Sequence, residues 1–211
     1  MYIPSSFEER DLAKLHRFMT QYSFASLISH GEAGLFATHL PFLVEPEHGP
    51  FGRLAGHLAR ANPQWRPEMI QGEVMVVFSG PHAYISPSWY EAEEMVPTWN
   101  YAAVHAYGTF RIVEDPERLL EILGKSVQAH EGPRARPWSF VDSDSYIQKL
   151  MKGIVGFHID LTRVEGKWKM SQNQPVERQR LVASALEAQG GEESFAVARL
   201  INERLGLPPS S

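Results

Sequence analysis

Four short stretches of this 211-residue chain gather hydroxyl, imidazole, amide and aromatic side chains at spacings that packing alone does not call for. In Ala37-Thr38-His39-Leu40-Pro41-Phe42, Thr38 offers a hydroxyl, His39 an acid or base near neutral pH, and Pro41 a break in the hydrogen-bonded ladder, all on one strand edge. His39 reads either as a ligand contact or as an imidazole satisfied within the protein. In Gly56-His57-Leu58-Ala59-Arg60-Ala61-Asn62-Pro63-Gln64-Trp65, a strand end runs into a helical turn, where backbone N–H groups and a cation can meet an anion. Arg60 is the natural phosphate partner, because a guanidinium matches phosphate oxygens two bonds at a time. The plainer alternative is a turn stopped by Asn62-Pro63 and anchored by Trp65.

The third stretch, 76–90, leads on to Val96-Pro97-Thr98-Trp99-Asn100-Tyr101. Tyr84, Trp89, Tyr90, Trp99 and Tyr101 stand there among prolines, a rigid aromatic surface that can stack on a planar ring, pack against a second subunit, or simply anchor loops. The fourth, Gly166-Lys167-Trp168-Lys169-Met170-Ser171-Gln172-Asn173-Gln174, follows the last expected strand. It strings together two ammoniums and several amide and hydroxyl donors with no carboxylate beside them, a set that can face an anionic or carbonyl-bearing ligand or form an ordinary solvated turn.

Other chemistries are ruled out by what the sequence lacks. It has no Walker or dinucleotide-binding glycine pattern, no His-Glu-x-x-His and no Gly-x-Ser-x-Gly, so nothing demands a metal or a covalent nucleophile, and no side chain stands out as catalytic. With no cysteine there is no disulfide or thiolate site, which fits the cytoplasm. Neither a secretory leader nor a membrane span is expected, since Glu8, Glu9 and Arg10 fall where a leader would be apolar. A net charge of −5, from 20 basic and 25 acidic residues with no basic block, argues against direct DNA binding.

The elements that must hold these stretches are mostly strands. Ser6 with Glu9 has the form of a capping box, and Leu12, Leu15, Met19 and Tyr22 then recur at helical spacing, predicting a first helix that ends near Tyr22. Strands are expected at 24–30 and 35–45 as a hairpin, then at 54–58, 74–79, 83–86 and 98–113, with turns at Gly80-Pro81 and Ser86-Pro87. Asp115-Pro116 caps a second helix whose apolar face is Leu119, Leu120, Leu123 and Val127. An exposed loop at 131–137 and a short helix at 143–152 come next, followed by a strand at 154–165 with Val155, Phe157, Ile159 and Leu161 on its buried face. Helices at 175–189 and 192–205, broken by Gly190-Gly191 and ending at Pro208-Pro209, close the chain. The expected fold is mainly β with α: an antiparallel β-barrel with peripheral helices, occupying 1–174, and a C-terminal helical extension at 175–211 packed on the same domain.

Taken in order, the stretches 37–42, 56–65, 78–90, 97–101 and 167–173, with the opening Met1-Tyr2-Ile3-Pro4 and Phe7, resemble the PaiB family of FMN-binding negative transcriptional regulators. The resemblance runs from the first residues to about Gln174 and implies an FMN-binding split barrel, a homodimer with cofactor at the subunit interface. By that likeness His57, Arg60 and Asn62 lie on the phosphate side, with Thr38 and His39 on a neighbouring strand. Trp89, Tyr90, Trp99, Asn100 and Tyr101 would wall the isoalloxazine or the partner subunit, and Lys167, Lys169, Ser171, Gln172 and Asn173 would reach in from the C-terminal side. The stretch 56–65 departs from the oxidase branch of such barrels in lacking a dense Arg/Lys/Ser/Thr phosphate pattern, so a weak grip on flavin, or none, is expected.

Three functions compete. The resemblance implies a regulator of sporulation or degradative-enzyme genes, acting through flavin or a metabolite. An FMN-dependent oxidoreductase, of flavin-reductase or pyridoxamine-phosphate-oxidase type, would use the same site. Haem binding is a further alternative, with nine histidines available as axial ligands.

Overall fold

The computed structural model describes residues 1–91, 94–140 and 145–207. In chain order the elements are β1 (Glu8–Glu9), α1 (Leu12–Gln21), β2 (Phe24–Gly31), β3 (Gly34–Pro41), β4 (Leu43–Glu45), β5 (Arg53–Ala59), β6 (Val74–Ile85), β7 (Thr98–Val113), α2 (Pro116–Glu131), α3 (Ser145–Met151), β8 (Ile154–Lys169), α4 (Val176–Gln189) and α5 (Glu192–Arg204), with single 3-10 turns at Ser5–Phe7, Pro63–Trp65, Pro67–Met69 and Pro87–Tyr90. The strands form one eight-stranded sheet in the order β3-β2-β6-β7-β8-β5-β4, with β1 on β8. No helix among the described residues is long and apolar enough to cross a membrane.

The chain divides into two compact units, one of Leu12–Phe78 and His105–Val164, the other of Met1–Asp11, Ser79–Val104 and Glu165–Ser211. In the first of these, the β2–β3 hairpin pairs Phe24 with Pro41 through Gly31 with Gly34, where φ of Gly34 is 101°, a conformation open to glycine at no steric cost. β5 pairs along its whole length with β8, from Arg53 opposite Asp160 to Ala59 opposite Ile154. Period-two alternation sends Val155, Phe157, Ile159 and Leu161 inward, as the sequence predicts. Phe157 stacks on Phe110 at 4.8 Å between centroids and meets Phe42 edge-on at 6.0 Å. On α2, Asp115 accepts a hydrogen bond from the Glu117 N–H at 3.0 Å, the expected cap.

In the other unit, Ala83, Ile85, Ala102, Val104, Trp168 and Met170 form the buried face of the strands, while α4 and α5 bury Val182, Leu186, Val197 and Ile201. The break between these helices falls at Gly190 and Gly191, both with positive φ (76° and 93°).

Three local expectations need correcting. Ser6 and Glu9 do not cap α1: Glu8 and Glu9 pair with Lys167 and Gly166, and the helix starts at Leu12. The Glu9 carboxylate instead accepts from the N–H groups of Arg10 and Asp11, each at 3.0 Å. Gly80-Pro81 is no turn, since β6 runs through it. The register of β6 with β2 stops at Val77, so the missing N–H of Pro81 removes no bond on that side. Finally, β8 continues to Lys169 because β1 supplies a partner at Gly166 and Lys167. The expected beginning of α3 at Ser143 and the closing Pro208-Pro209 lie outside the described residues.

Candidate functional site

The candidate residues fall into two sets, one in each compact unit. In the unit of Leu12–Phe78 and His105–Val164, Thr38 and His39 sit on β3, His57 on β5, and Arg60 and Asn62 in the turn that follows. Asn62 joins the turn to the strand: its amide donates to Thr38 Oγ1 at 2.9 Å, and its oxygen accepts from the Gln64 N–H at 2.9 Å. His39 pairs with Ser26 Oγ through Nδ1 at 2.8 Å, so this imidazole is satisfied across the hairpin. Arg60 is fixed at the exposed end of β5 by donating Nε to the Lys152 carbonyl at 2.9 Å and Nη2 to the Ile154 carbonyl at 2.8 Å. Neither acceptor is charged, so the guanidinium keeps its full positive charge for an incoming anion. His57 stands apart from the other four, lining a cavity with residues of α2, α3 and the loop before α3, and burial pushes its imidazole pKa below the ordinary histidine value.

In the unit of Met1–Asp11, Ser79–Val104 and Glu165–Ser211, strand alternation sorts the candidates onto two faces. Asn100 and Ser171 are buried together: Asn100 Nδ2 donates to Ser171 Oγ at 2.9 Å, and Tyr90 OH lies 3.3 Å from the same oxygen. Ser171 has φ of 60°, a left-handed turn that brings its hydroxyl into this cluster as the chain leaves β8. Gln172 works locally, its side chain accepting from the Met170 N–H at 2.5 Å and donating to the Trp168 carbonyl. Trp89 lies half-buried in the turn Pro87–Tyr90.

Trp99, Lys167 and Lys169 share the opposite face. Trp99 is 53% exposed and meets Tyr84 edge-on at 5.9 Å and His82 at 6.1 Å. Lys167 holds its ammonium 5.1 Å from the ring centre of Tyr101 and 5.5 Å from that of Tyr2, and donates to the Tyr2 carbonyl at 3.1 Å. Lys169 donates to the Trp99 carbonyl at 2.9 Å and to Thr98 Oγ1. Among the described residues neither ammonium has a carboxylate partner. Burial, and then the charge of Lys167, push the Lys169 pKa below the ordinary lysine value.

The solvated-turn reading of 166–174 therefore does not hold for the lysines, which sit on a strand. Tyr2 and His82 are the neighbours that sequence reasoning left out. The signal for His82 was its two-residue spacing to Tyr84, shared by 99/101 and 167/169, which puts each pair on one face of its strand.

Residues 1–163 match the family described as "Putative FMN-binding domain". The chain is 35% identical over 207 residues to protease synthase and sporulation protein PAI 2 of Bacillus subtilis, covering 97% of this chain and 98% of that protein. Among solved structures, the flavocytochrome Anf3 from Azotobacter vinelandii aligns with a TM-score of 0.59 at 13% identity, over 77% of this chain and 69% of that one. The FAD and heme binding protein from Mycobacterium smegmatis aligns with a TM-score of 0.55 at 11% identity, over 88% and 80%. At such identities the likeness is one of fold, and it makes the antiparallel sheet with its flanking helices a split barrel, as expected from the sequence. The match along the whole sporulation-protein relative and the family match over residues 1–163 together place this chain in the PaiB family.

Proposed function

We propose that this protein binds FMN as a homodimer and serves as a PaiB-like negative regulator whose output follows flavin or metabolite binding. The observation that carries the flavin reading is the face of Tyr84, Trp99 and Tyr101 beside Lys167 and Lys169. It joins half-exposed rings, which can stack on a planar heterocycle, to two ammoniums that have no carboxylate partner among the described residues. An anionic or carbonyl-bearing group placed there would offset the burial and the Lys167 charge that lower the Lys169 pKa. FMN, when bound, would supply reversible electron transfer, with the chain's part being to hold and orient the ring. Family membership and the B. subtilis relative's sporulation-protein name support the regulatory half. The net charge of −5 favours an indirect route over operator reading by this chain itself.

Titration of the purified protein with FMN, followed in the visible spectrum, is expected to saturate at one flavin per chain. Trp99→Ala and Lys169→Met should each weaken binding about tenfold, the scale of one stacking contact or one charge-assisted hydrogen bond. A spectrum that never saturates would remove the flavin reading. Light scattering at micromolar concentration is expected to give twice the chain mass, and a monomer mass would remove the dimer.

A further inference from the structure

The cavity beside His57 is of a different kind from the lysine-bearing face. It measures about 450 Å³, within the range of small-molecule sites, and is lined by Leu123 and Val127 of α2, Ile147, Leu150 and Met151 of α3, Gly153, Ile154, Trp138 and Phe140. Among the described residues no charged side chain lines it, and His57 is its one ionisable group. Among the described residues the His57 imidazole makes no hydrogen bond.

The walls are fixed rather than collapsed onto one another. The Arg60 N–H donates to the Gly153 carbonyl at 2.8 Å, and the Gly153 N–H donates to the Leu150 carbonyl at 2.9 Å, tying the floor to β5 and α3. The Trp138 N–H donates to the Glu131 carboxylate at 3.0 Å, and Arg134 pairs with the same carboxylate at 3.1 Å, which anchors the loop that carries the rim. Trp138 and Phe140 stand 5.9 Å apart with their planes tilted by 44°, and Trp138 and Leu150 remain 55% and 52% exposed. Two large apolar side chains are thus held half in water at the mouth of an apolar cavity, an arrangement that an apolar occupant would relieve.

We infer that this cavity is a binding site for a small, uncharged aromatic molecule carrying one hydrogen-bonding substituent, a phenol or an indole, with His57 as its single polar contact. The lining selects the class. Rings fit the Trp138–Phe140 pair, and burying a charge against these walls would be costly without a partner. One hydroxyl or ring N–H is what one neutral imidazole can satisfy, and burial keeps that imidazole neutral at pH 7. The site shares no residue with the proposed flavin face, and its assignment does not depend on that reading.

The test uses the full chain without flavin, titrated with 2-naphthol and with naphthalene and followed by ligand fluorescence. The wild-type chain is expected to bind one 2-naphthol, about tenfold tighter than naphthalene, the scale of one net hydrogen bond. His57→Leu should erase the difference between the two ligands while leaving naphthalene binding in place. Ile147→Trp should fill the cavity and abolish binding of both, and Leu150→Trp, at the exposed rim, serves the same purpose if the first variant does not fold. FMN should neither compete with 2-naphthol nor bind differently to the two tryptophan variants. Absence of saturable 2-naphthol binding, a naphthol preference that survives His57→Leu, or binding that survives both tryptophan substitutions would overturn the assignment. Competition by FMN would overturn the separateness of the site, whatever the flavin affinity proves to be.

Discussion

Gly108→Ala is expected to lower the unfolding free energy by about 3 kcal/mol or more, at the upper end of what one added methyl costs in a close-packed interior. Gly108 lies buried on β7, and a Cβ there would come within 2.4 Å of the Asp160 carbonyl oxygen and 2.8 Å of Ile159 Cγ2. The obstacle is backbone, which cannot swing aside as a side chain tip can. Asp160 is also pinned from other directions, since it pairs with Arg53 across the β5–β8 ladder and its carboxylate accepts from Arg53 Nε at 2.8 Å and Arg111 Nε at 3.1 Å. Relief would have to come from moving β7 off β8 or from breaking that cluster. Gly124 is the control: it sits inside α2 with nothing within 4 Å of an added Cβ, so Gly124→Ala should stabilise by up to about 1 kcal/mol. Urea unfolding of the two variants beside the wild type reads both signs. Equal effects would mean that the close approach of β8 to Gly108 does not govern stability.

A glycine within the long β7 run is visible in the sequence, but the strand that crowds it is not. That contrast marks how far the sequence could be read. Alternation over eight residues gave the inward face of β8, because a period of two is fixed by the local backbone and by one buried face, while a long β-type run gave β7 and helical composition with a glycine break gave the two C-terminal helices. The misreadings at Ser6 with Glu9, at Gly80-Pro81 and at the end of β8 have a common origin. Each is settled by pairing with, or by the absence of, a distant strand: Glu8 and Glu9 by Lys167 and Gly166, Pro81 by the end of the β2 register at Val77. A local capping box or turn signal is worth about 1 kcal/mol, and pairing into a sheet outweighs it.

The candidate site was legible to the same extent. Residue chemistry drew attention to the right stretches, and the structure brings Asn62 to Thr38, Asn100 to Ser171 and Lys169 to the Trp99 carbonyl. Which candidates share a face was legible only through spacing along each strand. Trp99, Lys167 and Lys169 share one, while Asn100 points to the buried side although it is adjacent to Trp99 in the chain. The placement of Tyr2 against Lys167 joins residues at opposite ends of the chain, and no local pattern encodes it.

Arg118→Leu should destabilise the protein by about 2–3 kcal/mol at neutral pH, and the loss should shrink as the pH falls below about 4. Glu45 is 8% exposed and accepts two hydrogen bonds from Arg118 Nη2, each at 3.0 Å, and one from Lys125 at 3.1 Å. Burial alone would raise its carboxyl pKa, but the hydrogen bonds and charges of Lys125 and Arg118 outweigh that and hold it below the ordinary glutamate value. A carboxyl whose folded pKa lies below its unfolded one gives stability that is fully present above the unfolded value and lost as the pH falls through the folded one. Removing Arg118 takes two of these three hydrogen bonds from a buried carboxylate. Lys125 remains, which keeps the cost below the ~3–5 kcal/mol of a fully orphaned ion. Once Glu45 is protonated in both proteins, Arg118 has no charge left to match there, and the gap narrows to what the exposed Arg118–Glu121 pair contributes, the Glu121 carboxyl being held down at about 2 by Lys125 and Arg118. His57 also has a pKa lowered by burial, so both proteins lose that stability together as the pH falls below about 6.5 and the term cancels; His158, lowered first by burial and least by the charge of Arg118, cancels except for that last part, which narrows the gap further at low pH. Asp160, lowered by Arg53 against its own burial, cancels in the same way. Chemical denaturation at pH 7, 5 and 3.5 separates the cases, because a wild-type-to-variant gap that stayed constant from pH 7 to 3.5 would assign the role of Arg118 to packing rather than to the charge of Glu45.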